Sequence, residues 1–116
     1  FRSRYVPIHN KVYDLVKWFV DNSASYGHDK LMLNPNGSVV MYNNFVSRNL
    51  PRINKFMNVE HKFHDTRHTF ASRGTSAGIP ELYMQKIMGH TPRRILYNTY
   101  THITIPELLE WINLIS

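Results

Sequence analysis

An arginine and two histidines lie close together in one segment of this chain, Phe63-His64-Asp65-Thr66-Arg67-His68-Thr69-Phe70. Continued as a helix, the segment places Arg67 on one stripe with apolar and small residues that run on to Ala71 and Gly74. A guanidinium on an apolar stripe needs a partner, because removing its charge from water is costly. That partner is either a carboxylate of the fold or an anion from outside. Three acidic residues could supply the carboxylate: Asp14, Asp65 and Glu81.

The composition favours a globular domain with an anionic partner. The 116 residues are 42% hydrophobic, which suits one domain with a modest core. A net charge of +6, seven histidines and a pI near 9.8 favour nucleic acid, with an acidic membrane surface as the main rival. The absence of cysteine excludes disulfides and thiolate zinc sites and fits the cytoplasm. No apolar run long enough to span a bilayer and no signal peptide are found, so no membrane partner is predicted.

Local signals predict a mainly α-helical domain with a small β component. Residues 4–8 alternate like a short strand, and Asn34-Pro35-Asn36-Gly37 predicts the turn of a hairpin. Helices are predicted over 10–22, from 41 to about 57 with a break near Asn49, over 65–77, over 80–88, after Thr91-Pro92, and from Thr104 to the end. The first two carry these predicted core residues: Val12, Leu15, Val16, Phe19, Val20, Met41, Phe45, Val46, Ile53, Phe56 and Met57.

Three polar clusters follow one another along the second half of the chain. They are His64-x-x-Arg67-His68, Met88-Gly89-His90 and Tyr97-Asn98-Thr99-Tyr100-Thr101-His102. An arginine can hold a phosphate with two parallel hydrogen bonds, and histidines can donate hydrogen bonds or transfer protons near neutral pH. A tyrosine hydroxyl, a poor nucleophile alone, becomes usable where cations stabilise the charge that develops during attack. The combination suits metal-free phosphoryl transfer to a protein hydroxyl.

The three clusters together resemble the tyrosine recombinase, or phage integrase, family in order and spacing. The ten-residue step from His90 to Tyr100 is similar to that of integrases from conjugative transposons and some phages. Val6-Pro7-Ile8 followed by a helix resembles the segment after the central β-hairpin of that family. The resemblance covers nearly the whole chain.

The resemblance implies a role for each matching residue. Arg67 would be the second of two arginines that hold the scissile phosphate, with His64 beside it. His90 would donate to a non-bridging oxygen, and Tyr100 would attack the phosphorus to form a 3′-phosphotyrosyl link without metal, ATP or other cofactor. The spacing and the Thr101-His102 context favour Tyr100 over its neighbour Tyr97.

Further residues are expected to support this chemistry. His68 and Gly89 are interpreted as supporting residues, the glycine as the end of a helix. Arg93 and Arg94 are expected to contact DNA phosphates, because they lie at a helix N-terminus near the proposed site. Six other cations are individually interpreted as solvated charges: Lys11, Lys17, Arg48, Arg52, Lys55 and Lys86.

Two family features are missing from the matching positions. The first catalytic arginine and the hairpin lysine are expected upstream of this sequence, since Arg2 and Arg4 lie too close to Val6-Pro7 for either role. The chain is therefore expected to be the C-terminal portion of a catalytic domain (1–116) without its core-binding domain. Alone, we expect it to be monomeric and inactive.

The resemblance also implies partners for the complete protein. They would be double-stranded DNA at attachment sites of a mobile element, in the bacterial cytoplasm at the nucleoid. A synaptic tetramer would form on that DNA. The apolar helix over 105–115 would pack on its own chain or be exchanged between protomers of that tetramer.

Two alternatives remain open from the sequence. One is a DNA-binding module without chemistry, which the charge alone would explain. The other is a zinc-dependent hydrolase using His64, His68 and His90, because the first two have the i, i+4 spacing of zinc ligands. The protease form of that motif needs a glutamate after the first histidine, where this chain has Asp65.

Overall fold

The chain is mainly helical and divides into two compact units. The computed structural model describes residues 4–116, so Arg2 lies outside the described residues. One unit comprises the described residues up to Val12 together with His68–Ser116, and the other is Tyr13–Arg67. The α-helices are α1 Tyr13–Ser25, α2 Tyr42–Asn44, α3 Leu50–Met57, α4 Asp65–Ser76, α5 Glu81–Met88, α6 Tyr97–Thr101 and α7 Ile105–Ile112. Short 3-10 turns precede α1 (Asn10–Val12) and α6 (Arg94–Leu96), and a π-helical turn (Phe45–Asn49) joins α2 to α3.

The ends of α4 and α5 and the start of α7 lie close to where the sequence predicts them, whereas α1 runs on to Ser25 and α7 ends at Ile112, three residues before the predicted end. Gly78 and Gly89 follow α4 and α5 in the left-handed region, with φ of +87° and +78°, where glycine avoids the penalty of a side chain. Pro80 precedes α5 in an extended conformation, as its fixed φ favours. Thr104 Oγ accepts a hydrogen bond from the backbone N–H three residues later and begins α7.

The predicted break near Asn49 is a π-helical turn. The N–H of Leu50 donates to the carbonyl oxygen of Phe45, five residues back. Pro51, near the start of α3, has no N–H to continue the regular ladder. The wider π-helical turn accommodates the lack of an N–H at Pro51. The chain therefore stays helical up to Asn58, whose φ of +55° ends α3.

The β component is a single bridge in the described part of the chain. Leu33 pairs antiparallel with Val39 across the predicted turn, and the N–H of Gly37 donates to Asn34 O at 2.9 Å. The mainly α prediction is confirmed, but the predicted strand over 4–8 is wrong. A strand needs a neighbouring strand to pair its backbone, and none of the described residues pairs with this segment, in which Tyr5 is 79% exposed.

The hydrophobic core lies in the unit that contains α5 and α7. Ile87, Ile103 and Leu108 form a buried cluster. Phe70, Leu82 and Tyr83 pack against that cluster. The terminal helix α7 therefore packs on its own chain through Leu108, while its exchange between protomers stays a prediction.

Close packing joins α4 to α5, and two hydrogen bonds hold the N-terminal segment. A Cβ at Gly74 of α4 would lie 2.5 Å from Met84 Sδ of α5, so a larger residue there would force the Met84 side chain to move. His9 Nε2 lies 2.6 Å from Ile115 O. The N–H of Asn10 donates to Asn113 Oδ1 at 2.8 Å. These bonds tie residues 9–10 to the end of α7.

The core predicted for the first two helical segments is largely wrong. Val16, Phe19, Phe45 and Val46 are half-buried. The other seven are exposed: Val12, Leu15, Val20, Met41, Ile53, Phe56 and Met57. Helical periodicity identifies the apolar face of a helix, but it does not reveal whether the same chain covers that face.

Candidate active site

Tyr100 lies on the short helix α6, where Tyr97 covers one face of its ring. The two rings stack with centroids 6.2 Å apart and planes 15° apart, as the i, i+3 spacing on a helix allows. Tyr100 is half-buried, whereas Tyr97 is 45% exposed. The side chain expected to be the nucleophile is thus the better fixed of the two.

Lys86 of α5 reaches Tyr100 at two points. Its ammonium donates to the Tyr100 carbonyl oxygen at 2.9 Å and lies 4.5 Å from the centroid of the Tyr100 ring, a distance typical of a cation–π contact. The interpretation of Lys86 as a solvated charge is therefore wrong. Nothing in the sequence around Lys86 distinguishes it from a surface lysine, since the two residues meet only when α5 and α6 pack.

A cavity of about 620 Å³ opens beside these residues. The residues that line it belong to the N-terminal segment, α5, α6, α7 and their connections: Arg4, Tyr5, Lys86, Gly89, Thr91, Tyr97, Tyr100, Ile103, Ile105 and Leu108. Two cationic side chains, Arg4 and Lys86, thus face the same space as Tyr100. Such an arrangement is suited to an anionic group.

Arg4 packs against the turn that carries His90. Its Nε donates to Ile87 O at 3.1 Å, and a Cβ at Gly89 would lie 2.8 Å from its guanidinium carbon. The N–H of His90 donates to Gln85 O at 2.9 Å, which completes the end of α5. Gly89 therefore has two reasons to be glycine, its positive φ and the guanidinium beside it. Sequence reasoning missed this role of Arg4, because contact with a residue so distant in the chain leaves no local pattern.

The segment with Arg67 forms the start of α4, as predicted. Asp65 is its first residue, and Oδ2 of Asp65 accepts the N–H of Lys62 at 2.9 Å and lies 3.1 Å from His61 Nδ1. Arg67 is half-buried, like Phe70 on the same stripe, whereas His64 is exposed. The carboxylate of Asp65 thus fixes the first turn of the helix that carries Arg67.

The predicted site residues are divided between the two units. His64 and Arg67 belong to Tyr13–Arg67, whereas His68, His90 and Tyr100 belong to the other unit. Within the latter unit, the structure brings Tyr100, Gly89 and the two cations Arg4 and Lys86 to one cavity. His90, adjacent to Gly89, is exposed.

The arginines expected to contact DNA are available at the surface. Arg93 and Arg94 are exposed, and Arg94 lines a shallow pocket with Pro92 and Tyr97. The helical turn begins at Arg94 rather than at Pro92.

His102 Nδ1 lies 2.6 Å from Asn98 O, so this ring is held on α6.

Neither a metal site nor a membrane span is found among the described residues. No group of three histidine, cysteine or acidic side chains that could hold a metal ion occurs within residues 4–116. The zinc alternative therefore gains no support. None of the described helices is both long and apolar enough to cross a bilayer.

Comparison with known proteins identifies the family. No curated protein and no solved structure matches this chain. A sequence model of the phage integrase family matches residues 1–106, most of the 116 residues. Members of this family bind DNA and carry out site-specific recombination. With the helical fold and a tyrosine beside a cationic cavity, this match shows that the chain belongs to the phage integrase family of tyrosine recombinases.

Proposed function

We propose that this chain supplies the nucleophile, Tyr100, with which a site-specific recombinase cleaves and rejoins double-stranded DNA. The observation that supports this most is that Tyr100 lines a cavity of about 620 Å³ together with Arg4 and Lys86. A phosphodiester is the anion that a DNA recombinase must hold beside its nucleophile.

The proposed reaction consists of two balanced transfers at one phosphorus. The Tyr100 phenolic oxygen attacks the scissile phosphorus, and the bond from phosphorus to the 5′ oxygen breaks. The phenol gives up its proton and the leaving 5′ oxygen takes one up, so the products are a 3′-phosphotyrosyl link and a 5′-hydroxyl. A 5′-hydroxyl of the partner strand then attacks the same phosphorus and releases the tyrosine hydroxyl. One phosphoester bond forms for each one broken, so no ATP is needed.

The other proposed site residues hold the phosphate during these transfers. Arg67 would bind it through two parallel hydrogen bonds, an interaction that suits its planar group. His64 and His90 would donate to non-bridging oxygens, which offsets the charge that develops in the transition state without a metal. His68 and Gly89 would support this arrangement. The half-burial of Arg67 on α4 favours the rigid placement that such a contact requires.

The proposed partners follow from the family and the surface charge. The substrate would be the attachment sites of a mobile element in a bacterial cell, with Arg93 and Arg94 on the DNA backbone. Recombination would take place in a tetramer assembled on that DNA. The exposure of both arginines supports their proposed contact with the DNA backbone.

Substitution of single tyrosines by phenylalanine tests the proposal in the intact protein. A nicked attachment-site DNA that traps the covalent intermediate would be incubated with wild type, Tyr100→Phe and Tyr97→Phe. We expect Tyr100→Phe to form no adduct while DNA affinity stays within about twofold, and Tyr97→Phe to retain adduct formation. Adduct formation by Tyr100→Phe would refute the assignment. DNA binding without any adduct from wild type would favour the non-catalytic DNA-binding module.

A further inference from the structure

We propose that Lys86 is a positioning residue that holds Tyr100 in place for attack on DNA. This inference rests on the proposed function of Tyr100 and adds a residue to it. It is argued from a double contact, in which the Lys86 ammonium binds both the backbone carbonyl and the ring of Tyr100.

The double contact fixes more of Tyr100 than either contact alone. The bond to the carbonyl oxygen at 2.9 Å locates the backbone at the last turn of α6. The contact at 4.5 Å from the ring centroid limits the rotation of the side chain. Because attack requires the phenolic oxygen at a defined place, restriction of both degrees of freedom promotes the reaction.

The helix α6 depends on such a contact, because it contains only Tyr97–Thr101. Helices this short are unstable in isolation and take their position from tertiary contacts. Lys86 lies on α5, whose Ile87 belongs to the buried core. The lysine therefore connects the short helix that carries Tyr100 to the best-packed part of its unit.

The contacts of Lys86 indicate a dedicated pairing with Tyr100. Lys86 is half-buried, and a half-buried ammonium needs compensation for its lost hydration. No ion pair of Lys86 occurs in the part of the chain that the structure describes. The Tyr100 carbonyl and ring provide that compensation, so Tyr100 is the partner that keeps Lys86 in this position.

Kinetics in the intact protein separate positioning from DNA binding. We compare Lys86→Met, which removes the charge and the donor, with Lys86→Arg, which keeps both. Lys17→Met serves as the control, because it removes one exposed lysine of α1. The measured quantities are the single-turnover rate of adduct formation at saturating nicked DNA and the DNA dissociation constant.

We expect Lys86→Met to slow adduct formation about tenfold relative to Lys17→Met, equivalent to about 1.4 kcal/mol in activation free energy. The DNA dissociation constant should stay within about twofold of that control, because one cation at the cavity is a small share of the phosphate contacts along a duplex. Lys86→Arg should recover at least half of the rate. An unchanged rate in Lys86→Met would overturn the inference, as would a lowered DNA affinity or a Lys86→Arg variant as slow as Lys86→Met.

A second measurement does not depend on the folding of Lys86→Met. In the wild-type chain, the ring current of Tyr100 should shift the ε-methylene proton resonances of Lys86 upfield in NMR spectra. The shift should disappear in Tyr100→Leu, and resonances at ordinary lysine positions in wild type would overturn the inference. Failure of the proposed function is distinguishable, because it appears as adduct formation by Tyr100→Phe whatever Lys86 does.

Discussion

Gly89 ends α5 with a φ of +78°, and the Arg4 guanidinium packs against it. Replacement by alanine should therefore act in two ways. Alanine in the left-handed region costs ~1–2 kcal/mol. The new Cβ would lie 2.8 Å from Arg4 Cζ, so the guanidinium must move and lose its bond to Ile87 O, at a further cost of about 1 kcal/mol. We expect Gly89→Ala to lower the free energy of unfolding by ~2–3 kcal/mol.

Gly78→Ala is a matched control for the backbone strain. Gly78 also follows a helix with positive φ, but a Cβ there would meet nothing within 4 Å. Its replacement should cost the strain alone, so Gly89→Ala should be more destabilising by about 1 kcal/mol. In an Arg4→Ala background this excess should vanish, because the contact that produces it is absent.

These differences are measured by urea unfolding, followed by circular dichroism, of wild type and four variants: Gly89→Ala, Gly78→Ala, Arg4→Ala and the double variant Arg4→Ala/Gly89→Ala. Equal destabilisation by Gly89→Ala and Gly78→Ala, within about 0.5 kcal/mol, would refute the reasoning. So would an excess that persists in the Arg4→Ala background. Either result would mean that Arg4 does not hold the turn before His90.

Two further predictions concern the core and the DNA-binding surface. Leu108 is 2% exposed, so Leu108→Ala should lower the free energy of unfolding by about 3 kcal/mol. As a control, Leu114→Ala should cost less than about 1 kcal/mol, because that side chain is 53% exposed. Equal losses of the two variants in urea unfolding would contradict the packing of α7 on its own chain. Arg93→Ala with Arg94→Ala should reduce the slope of log affinity against log salt by about 1–2 in DNA titrations, and an unchanged slope would exclude both arginines from phosphate contacts.

The helix boundaries around the site were predictable, because local chemistry determines them. Gly78 and Gly89 have the φ that ends a helix, Pro80 has the φ that begins one, and Thr104 accepts the capping hydrogen bond of α7. These signals lie within a few residues of the structure they specify. The same local character explains why the half-buried stripe of Arg67 could be recognised.

The contacts around Tyr100 could not be predicted from the sequence. Lys86 meets Tyr100, and Arg4 meets Gly89, only after separate elements have packed. Neither pair has a spacing or a periodicity that marks it. Phe56 is an example of the opposite error, because it was predicted to lie in the core and its side chain is 92% exposed. A pattern specifies a face of an element, whereas tertiary packing decides what covers that face.

The identity of the amino acid that becomes linked to DNA tests the account most directly. The intact protein would be trapped on a nicked attachment-site DNA, digested with protease and nuclease, and analysed by mass spectrometry. We expect a 3′-nucleotide attached through phosphate to the hydroxyl of Tyr100. A nucleotide on Tyr97 or on any residue other than Tyr100, or no covalent link to a protein that binds the DNA, would contradict it.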